Sequence, residues 1–174
     1  AALQLQPGMI GVDATLGYGG HALRLLEAIA PSGKLIGLDL DPLELPKTAA
    51  RLAAAGYGSD HFEAVRSNYA GIAKVLAERN LPEVDFIFAD LGCSSMQFDD
   101  PSRGFSFKSA GPLDMRMNPG RGLSAADWLA KISAEKLEAA LHENADEPRA
   151  ESIALALVGT RFSNTTALAQ AIRE

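Results

Sequence analysis

Cysteine is almost absent from this chain of 174 residues: Cys93 stands alone. No internal disulfide can form, and a reducing compartment, the cytoplasm, is the expected setting. Long apolar runs are missing too, with none approaching the ~20 residues that a bilayer span needs, so no membrane partner is expected. Basic residues are in the minority, 16 Lys and Arg against 22 Asp and Glu. The resulting charge of −6 argues against non-specific coating of nucleic acid, while leaving room for a local basic face. No signal or transit pattern is visible, and a start at Ala1 in place of methionine leaves an upstream segment, an organellar leader included, open. What is present is an ordinary globular composition, 47% hydrophobic and 22% charged, which excludes a disordered tail. The length suits a single fold that buries roughly two-thirds of its unfolded surface.

The first half reads as strand and helix in alternation. Met9 to Val12 is a strand that runs through Asp13 into a glycine loop, after which Ala22, Leu25, Leu26 and Ile29 carry helical spacing to the stop at Pro31-Ser32-Gly33. Lys34 to Asp39 is a second strand. Asp41-Pro42 opens the next helix, with Pro46 in its first turn. His61 to Arg66 is a third strand and Ile72 to Arg79 a third helix. Val84 to Ala89 is a continuous apolar run, the pattern of a fourth strand buried on both faces, and Asp90 ends it. Such alternation predicts a doubly wound parallel sheet with right-handed crossovers. Ligands of open α/β sheets sit outside the carboxyl ends of the strands, where an acid here ends the first, second and fourth. A lone Asp at that place more often caps a turn. The small and polar residues after Asp90 favour a site.

Gly17-Tyr18-Gly19-Gly20-His21-Ala22 satisfies the G-x-G-x-x-G/A pattern, and Asp39 lies about 20 residues on, as in a dinucleotide fold. Asp13 just before the loop and His21 opening the helix fit a phosphate-free ligand equally well. S-adenosylmethionine needs backbone close to its amino-acid end and a carboxylate for its ribose hydroxyls. The loop alone leaves nicotinamide, adenosylmethionine and a plain tight turn open.

The wider pattern is more particular. With Asp13-Ala-Thr-Leu-Gly-Tyr-Gly-Gly-His21, Asp39-Leu-Asp-Pro42, Asp90-Leu-Gly-Cys-Ser-Ser-Met-Gln97, Arg103-Gly-Phe-Ser-Phe107 and Gly111-Pro-Leu-Asp-Met-Arg-Met117, the sequence resembles the RsmH/MraW family over nearly its whole length. These are ribosomal RNA small-subunit methyltransferases. The resemblance implies methylation of the exocyclic amine N(4) of a decoding-centre cytosine in 16S-type RNA. The donor is S-adenosylmethionine, the product S-adenosylhomocysteine, and the partner small-subunit RNA within the assembled subunit; a homodimer stays open. It implies a Rossmann-like α/β methyltransferase core with an inserted all-helical domain, here residues 1–100 and 101–174. It places the methionine end of the cofactor on Gly19, Gly20 and His21, the ribose on Asp39 and the adenine beside Tyr69, with further contacts from Asp90 and Gln97. Asp90 is also the catalytic candidate. No metal ligand set is implied. Taken alone, Tyr69 reads as packing and Gln97 as a solvated loop residue.

Cys93 occupies a position where the family is expected to carry Val. A cytosine carbon-5 methyltransferase would use a Cys nucleophile, but no Pro precedes this one, and a small buried cysteine is the default. Amine methylation asks mainly for geometry: the delocalised amine must be held in line with the sulfonium methyl while an acceptor, Asp90 or a group between Leu91 and Ser95, turns an N–H aside. Phe105 or Phe107 could receive a base that leaves its stack, or could equally be core. Arg103, Lys108, Arg116 and Arg121 outnumber the single acid Asp114 and make a local basic band suited to RNA phosphates.

From Asp99 onward the pattern turns helical, with Ser124 and Ser133 as caps and later helices around Ile153 to Val158 and from Asn164 or Thr165. A methyltransferase sheet of this class is expected to have about seven strands, of which four are legible. The chain is therefore expected to lack part of its core and, by itself, to bind cofactor weakly at best and not to methylate RNA.

Overall fold

The computed structural model describes residues 3–173, which divide into two compact units, one up to Gly92 and one from Cys93. The division falls at Gly92, ahead of the 100/101 boundary expected from the sequence. Ser94 caps a short turn of helix, Ser95–Asp99, just after this division.

The first unit is a parallel sheet of four strands, β1 Ile10–Asp13, β2 Lys34–Asp39, β3 Phe62–Arg66 and β4 Phe86–Phe88, in the order β3-β2-β1-β4. Register runs Val12 beside Ile36 and Ile87, and Ile36 beside Glu63. Helices α1 Gly20–Ile29 and α2 Leu45–Ala54 follow β1 and β2. A 3-10 turn, Tyr69–Gly71, and the short α3 Ile72–Ala77 follow β3. Helix α1 buries Ala22, Leu25, Leu26 and Ile29, the residues whose spacing announced it. They join Leu16, Leu35, Leu52, Phe62 and Phe86 in one core cluster, and Val12, Ile36, Leu38, Val75 and Leu76 form a second. Successive residues of β2 thus feed different clusters, Leu35 one and Ile36 the other, as expected for a sheet covered on both faces.

Three local expectations shift. Asp41 does not open α2: its Oδ1 accepts from the Leu43 and Glu44 amides, making a turn that delays the helix to Leu45, with Pro46 in the first turn. Helix α3 ends at Ala77, short of Arg79. Among the described residues strand β4 pairs with β1 alone, and Ile87 is 52% exposed where burial was expected. An apolar run cannot say whether its strand is central or at an edge, because that depends on pairing with distant strands.

The second unit is helical: α4 Ser95–Asp99, α5 Ala125–Leu129, α6 Ala134–Ala145, α7 Ala150–Leu157 and α8 Thr165–Arg173, plus a 3-10 turn at Pro101–Arg103. Among its described residues there is no strand. Ser124 and Ser133 cap α5 and α6 as their sequence context requires. Leu113, Leu129, Leu137, Ile153, Ala154 and Leu157 form its core. Among the described residues of the chain, no helix is long and apolar enough to cross a membrane.

Candidate active site

The carboxyl ends of β1, β2 and β4 are stitched together by the loop after β1. Gly17 donates its N–H to Asp39 Oδ2 at 2.8 Å, while Asp39 Oδ1 accepts from the Asp41 amide at 2.8 Å. Thr15 accepts the Asp90 N–H on its hydroxyl at 2.7 Å. The Ala14 N–H reaches the Phe88 carbonyl and the Leu16 N–H the Leu38 carbonyl. One loop therefore touches both neighbouring strand ends, and three acids, Asp13, Asp39 and Asp90, converge around it.

Gly19 is the N-cap of α1 at φ +85°, a left-handed conformation that costs a glycine little. No side chain caps this helix, so its first N–H groups are left to an outside acceptor. His21 tilts against the Phe88 ring, centroids 4.9 Å apart, and holds Nδ1 3.7 Å from Asp90 Oδ2. Asp90 keeps its side chain 65% exposed while its amide is fixed.

Asp13 is the most unusual group. It is fully buried, its Oδ1 accepts from the Thr15 amide at 3.1 Å, and its Oδ2 has no hydrogen-bond partner. Burial raises its carboxyl from 3.8 to about 6, against the lowering pull of the Thr15 N–H and His21, with Asp39 and Asp90 adding to the rise. The sequence reading named Asp13 as a strand end but did not place it in the site; its position as one of the strand-ending acids was the available signal.

The structure thus brings Gly19, Gly20, His21, Asp39 and Asp90 to one end of the sheet. Tyr69 lies beyond β3, where the Ser67 amide bonds to the Asp39 carbonyl, and is 58% exposed. Gln97 belongs to the second unit. It is no solvated loop residue: it is buried and closes a capping box, its Oε1 accepting from Ser94 N and its own amide donating to Ser94 Oγ. The Ser-x-x-Gln spacing was legible and went unread. Cys93 is exposed, not buried, yet its surroundings desolvate the thiol enough to raise its pKa, which disfavours the thiolate a nucleophile needs.

The basic band of the second unit divides by role. Arg103 is buried and donates through Nη2 to the carbonyls of Arg116 and Met117, both at 3.1 Å. Arg116 forks onto Asp114, with Nε to Oδ1 at 2.9 Å and Nη2 to Oδ2 at 2.6 Å, and holds the Asp114 carboxyl below the usual range. Both guanidiniums fold the loop, whereas Lys108 and Arg121 are exposed. Phe105 packs edge-on against Phe98, centroids 6.4 Å apart, while Phe107 is 59% exposed with the Arg173 guanidinium 5.6 Å over its ring.

An α/β sheet with a glycine loop feeding a helix, and acids at the strand ends around it, is a Rossmann-like frame with its ligand end at the carboxyl edge of the strands. The chain belongs to the MraW methylase family, whose model matches residues 1–174. It is 46% identical over 177 residues to ribosomal RNA small subunit methyltransferase H 2 of Alkaliphilus metalliredigens, an alignment covering 99% of this chain and 50% of that protein. It is 47% identical over 171 residues to ribosomal RNA small subunit methyltransferase H 1 of Lachnoclostridium phytofermentans, covering 95% and 46%. The corresponding protein of Burkholderia vietnamiensis is 44% identical over 160 residues, covering 92% and 49%. The chain spans about half the length of the curated relatives it matches.

Proposed function

We propose that this protein is an S-adenosylmethionine-dependent methyltransferase of small-subunit ribosomal RNA, acting in the cytoplasm on the exocyclic amine N(4) of a decoding-centre cytosine. The observation that carries the reading is the convergence of Asp13, Asp39 and Asp90 around one glycine loop in a chain of the methylase family. Its relatives, named as ribosomal RNA small subunit methyltransferases, support the RNA substrate.

The residues present fit the cofactor. Asp13 has a buried, unpaired carboxylate oxygen, an acceptor suited to a cationic amine. The uncapped first turn of α1 suits a carboxylate. Gly19, Gly20 and His21 would hold the methionine end, Asp39 the ribose hydroxyls and Tyr69 the adenine, with Asp90 as a further contact. When bound, the cofactor supplies a methyl group on a sulfonium.

Asp90 accepts an N–H of the target amine and so turns the nitrogen lone pair towards the methyl. Its backbone is anchored by Thr15 and its side chain remains exposed. No permanent base is required, because the methylated ammonium product is strongly acidic. Phe107, exposed, is the better platform for an unstacked base than Phe105, and Lys108 and Arg121 the better partners for phosphate than Arg103 and Arg116. Isothermal titration tests the cofactor class: S-adenosylhomocysteine binds and NAD and NADP do not, and the opposite result refutes the reading. Mass mapping of small-subunit RNA nucleosides from cells with and without the protein tests the substrate.

A further inference from the structure

We propose that Thr48 and Arg51, both on α2, are positioning residues that latch the cofactor loop into its binding shape; the inference rests on the adenosylmethionine reading above. The loop is held from one side by Asp39, which takes the Gly17 N–H. From the other side, Thr48 Oγ1 donates to the Gly17 carbonyl at 2.6 Å, and Arg51 Nη2 donates to the Tyr18 carbonyl at 3.0 Å and to Thr48 Oγ1 at 2.7 Å. Thr48 is fully buried, and the Arg51 guanidinium lies 3.8 Å from the centroid of the Tyr18 ring. Arg51 Nε has no acceptor, so the guanidinium is set by its loop contacts at some cost.

The arrangement has a consequence for the ligand. Two successive carbonyls, those of Gly17 and Tyr18, are drawn towards α2 and capped by donors. A carbonyl turned the other way would oppose an anionic ligand end at the N-terminus of α1. The helix also sets the spacing, because a Cβ at Gly19 would stand 2.7 Å from Thr48 Cγ2, so the loop rests directly on the threonine. Thr48 and Gly17 are 31 positions apart and Arg51 and Tyr18 33, so helix α2 preorganises a loop it does not belong to.

The test is ligand affinity of the intact protein by titration calorimetry, with S-adenosylhomocysteine and with adenosine, which lacks the amino-acid end. Thr48→Val keeps the shape of the side chain and removes the donor; Thr48→Ser keeps the donor. Arg51→Met removes the cation at a partly exposed site where folding is less at risk. The expected result is a loss of about tenfold in S-adenosylhomocysteine affinity for Thr48→Val and Arg51→Met, from loss of a buried hydrogen bond. Adenosine affinity is unchanged in both, and Thr48→Ser recovers the wild-type value. Equal losses for both ligands, or no loss with S-adenosylhomocysteine, would overturn the latch while leaving the cofactor reading intact. Failure of the unaltered intact protein to bind S-adenosylhomocysteine would overturn the parent reading, and the latch with it.

Discussion

Replacing Asp13 by Asn should leave the first unit no less stable at neutral pH, remove a pH dependence, and make it a worse cofactor binder. Asp13 is fully buried, and burial lifts its carboxyl from 3.8 to about 6. An acid with a raised pKa holds its proton more tightly folded than unfolded. Stability is therefore greatest below the unfolded value, falls as pH rises between the two values, and is level above the folded one. A shift of about two units corresponds to about 3 kcal/mol lost by neutral pH. In Asp13→Asn the amide oxygen still accepts from Thr15 and the charge is gone, but the new N–H donors go unpaired at a cost of about 1–3 kcal/mol. The net effect near neutrality is a modest gain or none. The pH dependence is the sharper quantity: relative to the mutant, the wild type should lose about 2 kcal/mol between about pH 4.5 and about pH 7.5. Urea unfolding followed through tyrosine reads the first unit, because Tyr18, Tyr57 and Tyr69 all lie in it and the single Trp128 lies in the second. A difference that stays flat across this range would refute the burial argument. In the same mutant, S-adenosylhomocysteine affinity should fall about ten- to hundredfold, since a charge-assisted contact is lost.

Asp39→Ala should cost a similar factor in affinity by calorimetry, because its carboxylate both orders Gly17 and Asp41 and is the proposed ribose acceptor; unchanged affinity in a folded mutant would remove it from the site. Asp90→Asn should leave the fold intact, since Asp90 is anchored by its amide, and should cut single-turnover methyl transfer in the methylating protein far more than RNA binding. Gly104→Ala should destabilise the second unit by more than about 1 kcal/mol, read through Trp128. Gly104 sits at φ +72°, and a Cβ there would lie 2.2 Å from the Pro112 carbonyl oxygen. A wild-type unfolding midpoint for that variant would show that the loop yields easily.

The sequence by itself determined what depends on near neighbours along the chain. Strand β2 runs Lys34–Asp39 as its apolar run required, α1 buries the four residues whose spacing announced it, Pro46 falls in the first turn of α2, and serines cap α5 and α6. The strand-ending acids and the glycine loop were also legible, because turn and helix-start chemistry are local. Tertiary structure decided what depends on residues meeting from far apart. Among the described residues it set the strand order β3-β2-β1-β4, since pairing order is not encoded within a strand. It buried Arg103 under its own loop, where composition had offered it as a free cation for RNA. It set Asp13 among Asp39, Asp90 and His21, so that its pKa follows from burial and neighbours that no spacing rule predicts. It also brought Thr48 and Arg51 under the Gly17 and Tyr18 carbonyls, because a side-chain donor finds an acceptor a helix away only once the crossover has packed that helix against the sheet.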